Sequence, residues 1–145
     1  MTRPPGDGNS LPKTGASFII GLKGTELVFT THGDDVRLNS YEPGNDNQMW
    51  QCTLNPHGWG FTNHRTGKYL NVNQYGYIGA SKTEQLRWES FLFQPDPEAL
   101  GGYWVLVIWN SAVHRLRKAP DGRNYAEAAH DLTLPPTLFC LHKTL

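Results

Sequence analysis

Laid over itself, the chain divides into three similar units, and this repeat limits its fold more than any other feature. The first unit runs Phe18–Leu22, Gly24–Phe29, Leu38–Glu42 and Trp50–Leu54. The second runs Phe61–Asn63, Gly67–Val72, Ile78–Lys82 and Trp88–Leu92. The third runs Trp104–Ile108, His114–Lys118, Ala126–His130 and Leu138–Leu141. Opening segments sit 43 residues apart in both steps, from Phe18 to Phe61 and from Phe61 to Trp104. Each segment is short, alternates in polarity and is rich in aromatic and branched residues, which predicts a strand. Turn signals at His32–Asp35, Tyr75–Gly76 and Pro120–Arg123 separate the second segment of each unit from the third. Gly and Asp there supply the positive φ angles of tight hairpins. Propellers use about four to eight blades, so twelve strands in three units predict an all-β β-trefoil. In that fold the first and fourth strands of each unit make a barrel, and the middle hairpins cap one end.

Length agrees with a single domain, because 145 residues bury about two thirds of their unfolded surface without staples. The repeats cover about 16–56, 57–99 and 100–145, within a domain of residues 15–145. Residues 1–14 are polar and rich in Pro and Gly, which reads as a flexible N-terminal arm. Thirteen Lys plus Arg balance 13 Asp plus Glu, which argues against nucleic acid as a partner. The run His114–Lys118 is the nearest thing to a basic patch, and its alternation reads as one solvated strand face. No apolar run reaches the ~18 residues of a membrane span, so no membrane insertion is expected. The start lacks the apolar core of a signal peptide, which predicts a cytoplasmic protein.

Cys52 and Cys140 each follow a fourth-segment landmark by two residues, Trp50 and Leu138, and Ser90 follows Trp88 in the same way. Period-two alternation then predicts three small residues ringing the barrel interior, with both thiols buried and reduced. Trp50 and Trp88 are expected in the core. The six His are scattered without H-x-x-x-H, and no C-x-x-C, G-x-S-x-G or phosphate-binding loop occurs. Neither an enzyme, nor a metal, nor a cofactor is expected.

Unit one ends in Asn45-Asp46-Asn47-Gln48-Met49-Trp50. A Q-x-W before an alternating strand does two jobs. The Trp fills a core, and the buried Gln amide must hold the preceding turn by hydrogen bonds. With the threefold repeat and the strand Gly67–Val72, this motif resembles the ricin B-type β-trefoil lectins, in particular the single-domain cytosolic lectins of mushrooms. Unit two departs with Gln85-Leu86-Arg87-Trp88, one residue longer than Q-x-W. Unit three has Pro135-Pro136-Thr137-Leu138 in that place.

The resemblance implies a non-catalytic, multivalent binder of glycans, often galactose or N-acetylgalactosamine, on glycoproteins or glycolipids. Each family pocket uses a polar group on the second strand, a ring at the end of the third, and the Asn before Q-x-W. In unit one Asn39 and Tyr41 take the places of a polar-x-aromatic pair at the end of the third strand, and Asn47 that of the Asn. Val28 stands at the second-strand polar position, so Asp34 or Asp35 in the hairpin would replace it. In unit two Asn71 fits, Ser81 stands where the ring should be, and Tyr75 or Tyr77 would stack instead, beside Lys82. In unit three Arg117 takes the polar position, and His130 and Asp131 lie in the ring region. A pyranose needs an apolar face for a ring and fixed partners for its hydroxyl pairs. Shallow sites gain affinity through several copies or a homo-oligomer. The rival class is a mushroom-type β-trefoil protease inhibitor, acting through exposed loops such as Asn55–Gly58 and Gln94–Gly102.

Overall fold

A computed structural model describes residues 3–98, 101–120, 122–130 and 137–144. Twelve strands follow in the expected order. Unit one holds β1 (Ser17–Leu22), β2 (Leu27–His32), β3 (Asp35–Ser40) and β4 (Trp50–Asn55). Unit two holds β5 (Gly58–Asn63), β6 (Tyr69–Val72), β7 (Ile78–Lys82) and β8 (Leu92–Pro95). Unit three holds β9 (Tyr103–Trp109), β10 (Ala112–Lys118), β11 (Ala126–Ala129) and β12 (Phe139–Lys143). Single 3₁₀ turns at Asp46–Gln48 and Arg87–Glu89 lead towards β4 and β8.

Strand pairing is antiparallel throughout, and it joins the units at both ends. β1 pairs with β4 and β12, β4 with β5, and β9 with β8 and β12. Within the units, hairpins form between β2 and β3, β6 and β7, and β10 and β11. The expected glycines do turn the first two of these, at Gly33 (φ 63°) and Gly76 (φ 87°).

The register differs from the 43-residue spacing. The first and last strands of each unit meet at Phe18 with Trp50, Trp59 with Phe91, and Tyr103 with Phe139. Matching positions are therefore 41 residues apart from unit one to unit two (Phe18 to Trp59) and 44 from unit two to unit three (Trp59 to Tyr103). The core follows this register. Trp50, Phe91 and Phe139 are all buried, together with Phe18, Ile20, Phe29, Phe61 and Leu141. Their rings pack edge-on or tilted, Phe18 against Phe61 at 6.5 Å and Phe29 against Phe139 at 5.7 Å.

Two expectations fall with that shift. Trp88 is only half-buried, and Phe91 fills the core slot beside β5, tied by Phe91 N–H to Trp59 O at 2.8 Å and Trp59 N–H to Phe91 O at 2.9 Å. The small-residue ring is also absent, because the landmark of unit three is Phe139 and not Leu138. Cys52 and Leu141 point inward, whereas Cys140, one residue out of step, faces outward beneath Gly8. Ser90 belongs to the turn, where its hydroxyl donates to Leu86 O at 2.6 Å. Both thiols are free, Cys52 buried and Cys140 half-buried.

Residues 5–10 of the arm lie along β12. Ser10 N–H donates to Leu141 O (3.0 Å), Leu141 N–H to Gly8 O (2.8 Å), and the His142 ring nitrogen Nδ1 lies 2.8 Å from Pro5 O. Among the described residues no helix is long and apolar enough to cross a membrane.

Candidate functional site

The turn before β4 is built as its sequence predicts. Gln48 is fully buried with both ends of its amide paired: its Nε2 donates to Thr30 Oγ1 (3.1 Å) and Ser40 O (2.9 Å), and its Oε1 accepts from Glu42 N–H (2.8 Å). One amide thus clamps β2 and the end of β3. Trp50 completes the arrangement by donating from Nε1 to Phe29 O at 3.2 Å. The cap of the turn is Asn45, whose Oδ1 accepts from Asn47 N–H at 3.0 Å. Asn47 looks elsewhere. Its Oδ1 accepts from Thr31 Oγ1 at 3.2 Å, and its backbone oxygen accepts from Asn63 Nδ2 at 3.0 Å.

Other unit-one residues are spread along the hairpin. Asn39 is half-buried across from Val28, and Tyr41 follows β3 with its N–H on Glu26 O at 2.9 Å. Asp34 is exposed and pairs with Lys68 at 3.2 Å, an interaction worth under about 1 kcal/mol in solvent. Asp35 lies at the hairpin junction described below.

In unit two Asn71 is fully buried and its Oδ1 accepts from Ser81 N–H at 3.1 Å, while its Nδ2 has no partner. Tyr75 is exposed at the hairpin tip. In unit three Arg117 is spent on its cross-strand neighbour Glu127, with Nε and Nη2 both on Oε2, at 2.9 and 2.7 Å. His130 is exposed and stacks on His114 at 5.1 Å. Asp131 lies outside the described residues.

The structure gathers a different set. A groove of ≈ 630 Å³ runs along the turn before β8, lined by His57, Lys82, Thr83, Glu84, Leu86, Arg87, Trp88 and Glu89. Its size falls inside the range of about 300–1,000 Å³ typical of small-ligand pockets. Trp88 forms its aromatic wall. Behind Trp88 stands Trp109, 6.0 Å away, itself fixed by Nε1 donating to Asn73 O at 3.1 Å. Gly76 lies against that second ring, where a Cβ would come within 3.3 Å of it. Trp109 in turn packs edge-on against His114 at 5.2 Å. A ring held from behind keeps its geometry when a ligand arrives.

Charges in the groove are mixed. Lys82 and Arg87 offer donors, and Glu84 and Glu89 offer acceptors. Glu89 is buried and its carboxylate accepts from Leu86 N–H at 3.0 Å. Burial pushes its carboxyl above the ordinary value of 4.5, with Lys82 working the other way. Of the expected site residues only Lys82 lies here. Trp88, expected in the core, stands in the groove wall instead. Each 3₁₀ turn has three residues, and Trp88 is the middle one of its turn as Asn47 is of the other. The position read as a sugar ligand in unit one therefore carries a ring in unit two. Its sequence signal was the extra residue in Gln85-Leu86-Arg87-Trp88, with Phe91 in register three residues later.

A second cavity of ≈ 250 Å³ lies where the three hairpins meet, lined by Asp35, Arg37, Asn73, Tyr77, Arg123 and Tyr125 over Val36 and Ile78. Among the described residues no group of three His, Cys, Asp or Glu could hold a metal ion.

No protein-family model matches the chain, and no curated protein matches it in sequence. Solved structures do. A ricin B-like lectin from Macrolepiota procera, determined in complex with lactose, aligns over 94% of this chain and 91% of its own with a TM-score of 0.63 and 17% identity. The β-trefoil protein BEL aligns over 99% and 100% with a TM-score of 0.71 and 12% identity. An endo-β-galactosidase from Clostridium perfringens that releases GlcNAcα1-4Gal aligns over 90% of this chain with a TM-score of 0.74 and 18% identity. The chain spans only 33% of that enzyme, and 18% of a mosquitocidal holotoxin that it also resembles. At these identities the likeness is one of fold, and that fold is the β-trefoil.

Proposed function

We propose that this protein binds carbohydrate without catalysis, and that its principal pocket is the unit-two groove walled by Trp88. The observation that carries the reading is a half-exposed, buttressed indole flanked by Lys82, Glu84 and Arg87 in an open groove. A pyranose offers an apolar face to such a ring, and its hydroxyls find charged donors and acceptors on both sides. The shared trefoil architecture with a lactose-complexed lectin supports the same class of ligand. Galactose and N-acetylgalactosamine glycans are the sugars we propose, and the three units are read as repeats of one module. Tyr41 and Asn47 of unit one form a lesser second site, where Asn47 keeps its Nδ2 free of protein partners. Several shallow sites, or a homo-oligomer, would supply avidity.

A glycan array on the purified chain, followed by calorimetric titration with lactose, tests the proposal. Trp88→Ala should reduce lactose affinity by about fivefold to thirtyfold, the scale expected when a stacking ring worth roughly 1–2 kcal/mol is removed. Undiminished binding by Trp88→Ala would move the site to unit one, where Tyr41→Ala should then cut affinity. An array on which the native chain retains no glycan would overturn the functional reading itself.

A further inference from the structure

Next to the groove, the seam between units two and three is apolar on its outer face. Tyr103, Val105 and Val107 of β9 are buried in the core, so period-two alternation sends Leu106 and Ile108 outward. Leu92 on β8 stands opposite Leu106, and Val113 on β10 stands opposite Ile108. Cross-strand partners share a face, so the four aliphatic side chains form one patch. Leu92, Ile108 and Val113 remain 52%, 43% and 49% exposed. Apolar residues scattered singly over a surface need no explanation, whereas a contiguous cluster beside a ligand groove marks a contact surface. In the register that aligns Trp50, Phe91 and Phe139, Leu92 matches Gln51 of unit one and Cys140 of unit three. Gln51 is polar, and Cys140 lies beneath Gly8 of the arm. Leu92 has neither remedy.

The patch opens into the groove. A trough of ≈ 480 Å³ is lined by Leu92, Leu106, Ile108 and Val113 and bordered by His57 and Arg87, which also line the Trp88 groove. This border is held in place. Asn55 Oδ1 accepts from His57 N–H at 2.9 Å, and Asn55 Nδ2 donates to Gln85 O at 2.9 Å. Arg87 begins the 3₁₀ turn that carries Trp88. On the far side, β9 and β10 are joined through Asn110 and Ser111, both left-handed (φ 50° and 63°), in a tight two-residue hairpin. That hairpin serves both surfaces: Trp109 backs Trp88 at 6.0 Å, and its neighbour Ile108 lines the trough. Groove and trough form one continuous surface, aromatic and charged at one end and aliphatic at the other.

We propose that the trough holds the alkyl aglycone of a glycoside, the chemistry of a glycolipid, whose sugar lies in the Trp88 groove. This ligand class rests on the glycan-binding reading and narrows it. A hydrocarbon chain brings no polar group that must be satisfied. An extended peptide would bring an N–H and a C=O at each residue, and β9 is already paired on both edges, with β8 and β10. An Arg suits the border, since its methylene stem packs against hydrocarbon while its guanidinium donates to hydroxyls. Joining sugar and chain in one molecule makes the second contact intramolecular, so two weak contacts reinforce each other.

Calorimetric titration of the full chain with lactose, octyl β-lactoside below its micelle concentration and 1-octanol tests it. Octyl β-lactoside should bind at least about tenfold tighter than lactose, the gain expected when about two methylenes leave water. The double variant Ile108→Thr/Val113→Thr keeps a β-branch at both exposed positions. It should remove most of that gain and leave lactose affinity unchanged, and the unchanged lactose affinity also reports that the variant is folded. Trp88→Ala should weaken both glycosides alike. Equal affinity for lactose and octyl β-lactoside in the native chain would overturn the inference and leave the groove reading standing. Failure of both glycosides to bind, or indifference of both to Trp88→Ala, would overturn the groove and the inference together. A gain that survives the double variant, or 1-octanol binding as tightly as octyl β-lactoside, would overturn the inference alone. So would a native dimer that the double variant dissolves, because a second copy would then cover this face.

Discussion

Gln48-Met49-Trp50 in unit one and Glu89-Ser90-Phe91 in unit two do the same structural work with no letter in common. Each closes a 3₁₀ turn on a buried polar residue and, two residues later, places a ring in the barrel core. Gln48 donates and accepts, so it joins Thr30, Ser40 and Glu42 at once. Ionised, Glu89 can only accept, and it holds a single backbone N–H, that of Leu86. The partners changed with it. Thr30, a hydroxyl that accepts from Gln48, is matched 41 residues on by Asn71, whose Nδ2 is left without a partner. What both slots require is an acceptor for the turn and a ring for the core. The rest of unit two is released, and Trp88 turns outward to wall a groove.

That comparison is most easily broken at the rings. Trp50→Ala and Phe91→Ala should each cost about 3–5 kcal/mol in a denaturant titration, the usual penalty for emptying a buried aromatic site. Trp88→Ala should cost less than half as much as either, because its ring is partly solvated. A Trp88 loss equal to that of Trp50 would return it to the core and close the groove.

The clamps come next. Gln48→Ala strands the Glu42 N–H and the Ser40 carbonyl and should cost about 1–3 kcal/mol. Glu89 should behave differently with pH. Because its carboxyl sits above 4.5 when folded, the folded state holds that proton more tightly than the unfolded chain. Its contribution to stability is fully present below the ordinary carboxyl range and is lost as pH rises through the raised folded value. Glu89→Gln, which keeps an acceptor for Leu86 N–H, should therefore raise stability at neutral pH and flatten this limb of the pH profile. A thermal melt series from acid to neutral pH checks the sign, and a profile identical to the parent would mean that burial imposes no such penalty.

Smallest is the effect at the thiols. Burial pushes the Cys52 thiol to about 11 and also raises Cys140, despite the nearby Lys23. Both should react slowly with a thiol reagent in the native protein at neutral pH, since the thiolate is the reactive form. Cys140, outside the barrel and covered by the arm, should react first. Denaturation should release two thiols, and a Cys52–Cys140 bond in non-reducing mass analysis would contradict the free thiols of this fold.

Much of this architecture was legible in the sequence because it is written in short-range patterns. Alternating polarity marked the strands, Gly33 and Gly76 marked hairpins, and the need to pair a buried amide identified Gln48 as a clamp and Trp50 as core. Each depends only on residues a few positions apart. The register between units is another matter. It depends on how loops of unequal length let distant strands pair, and a uniform 43-residue spacing concealed steps of 41 and 44. A shift of one residue in a strand reverses every side chain, and this is what carried Cys140 outside the barrel. In unit two, three residues of mismatch separated Trp88 from the core slot taken by Phe91. The hairpin junction is further still from any local pattern. Asp35, Tyr77 and Arg123 come from three units, and only the closing of the cap brings a carboxylate, a ring and a guanidinium around one cavity.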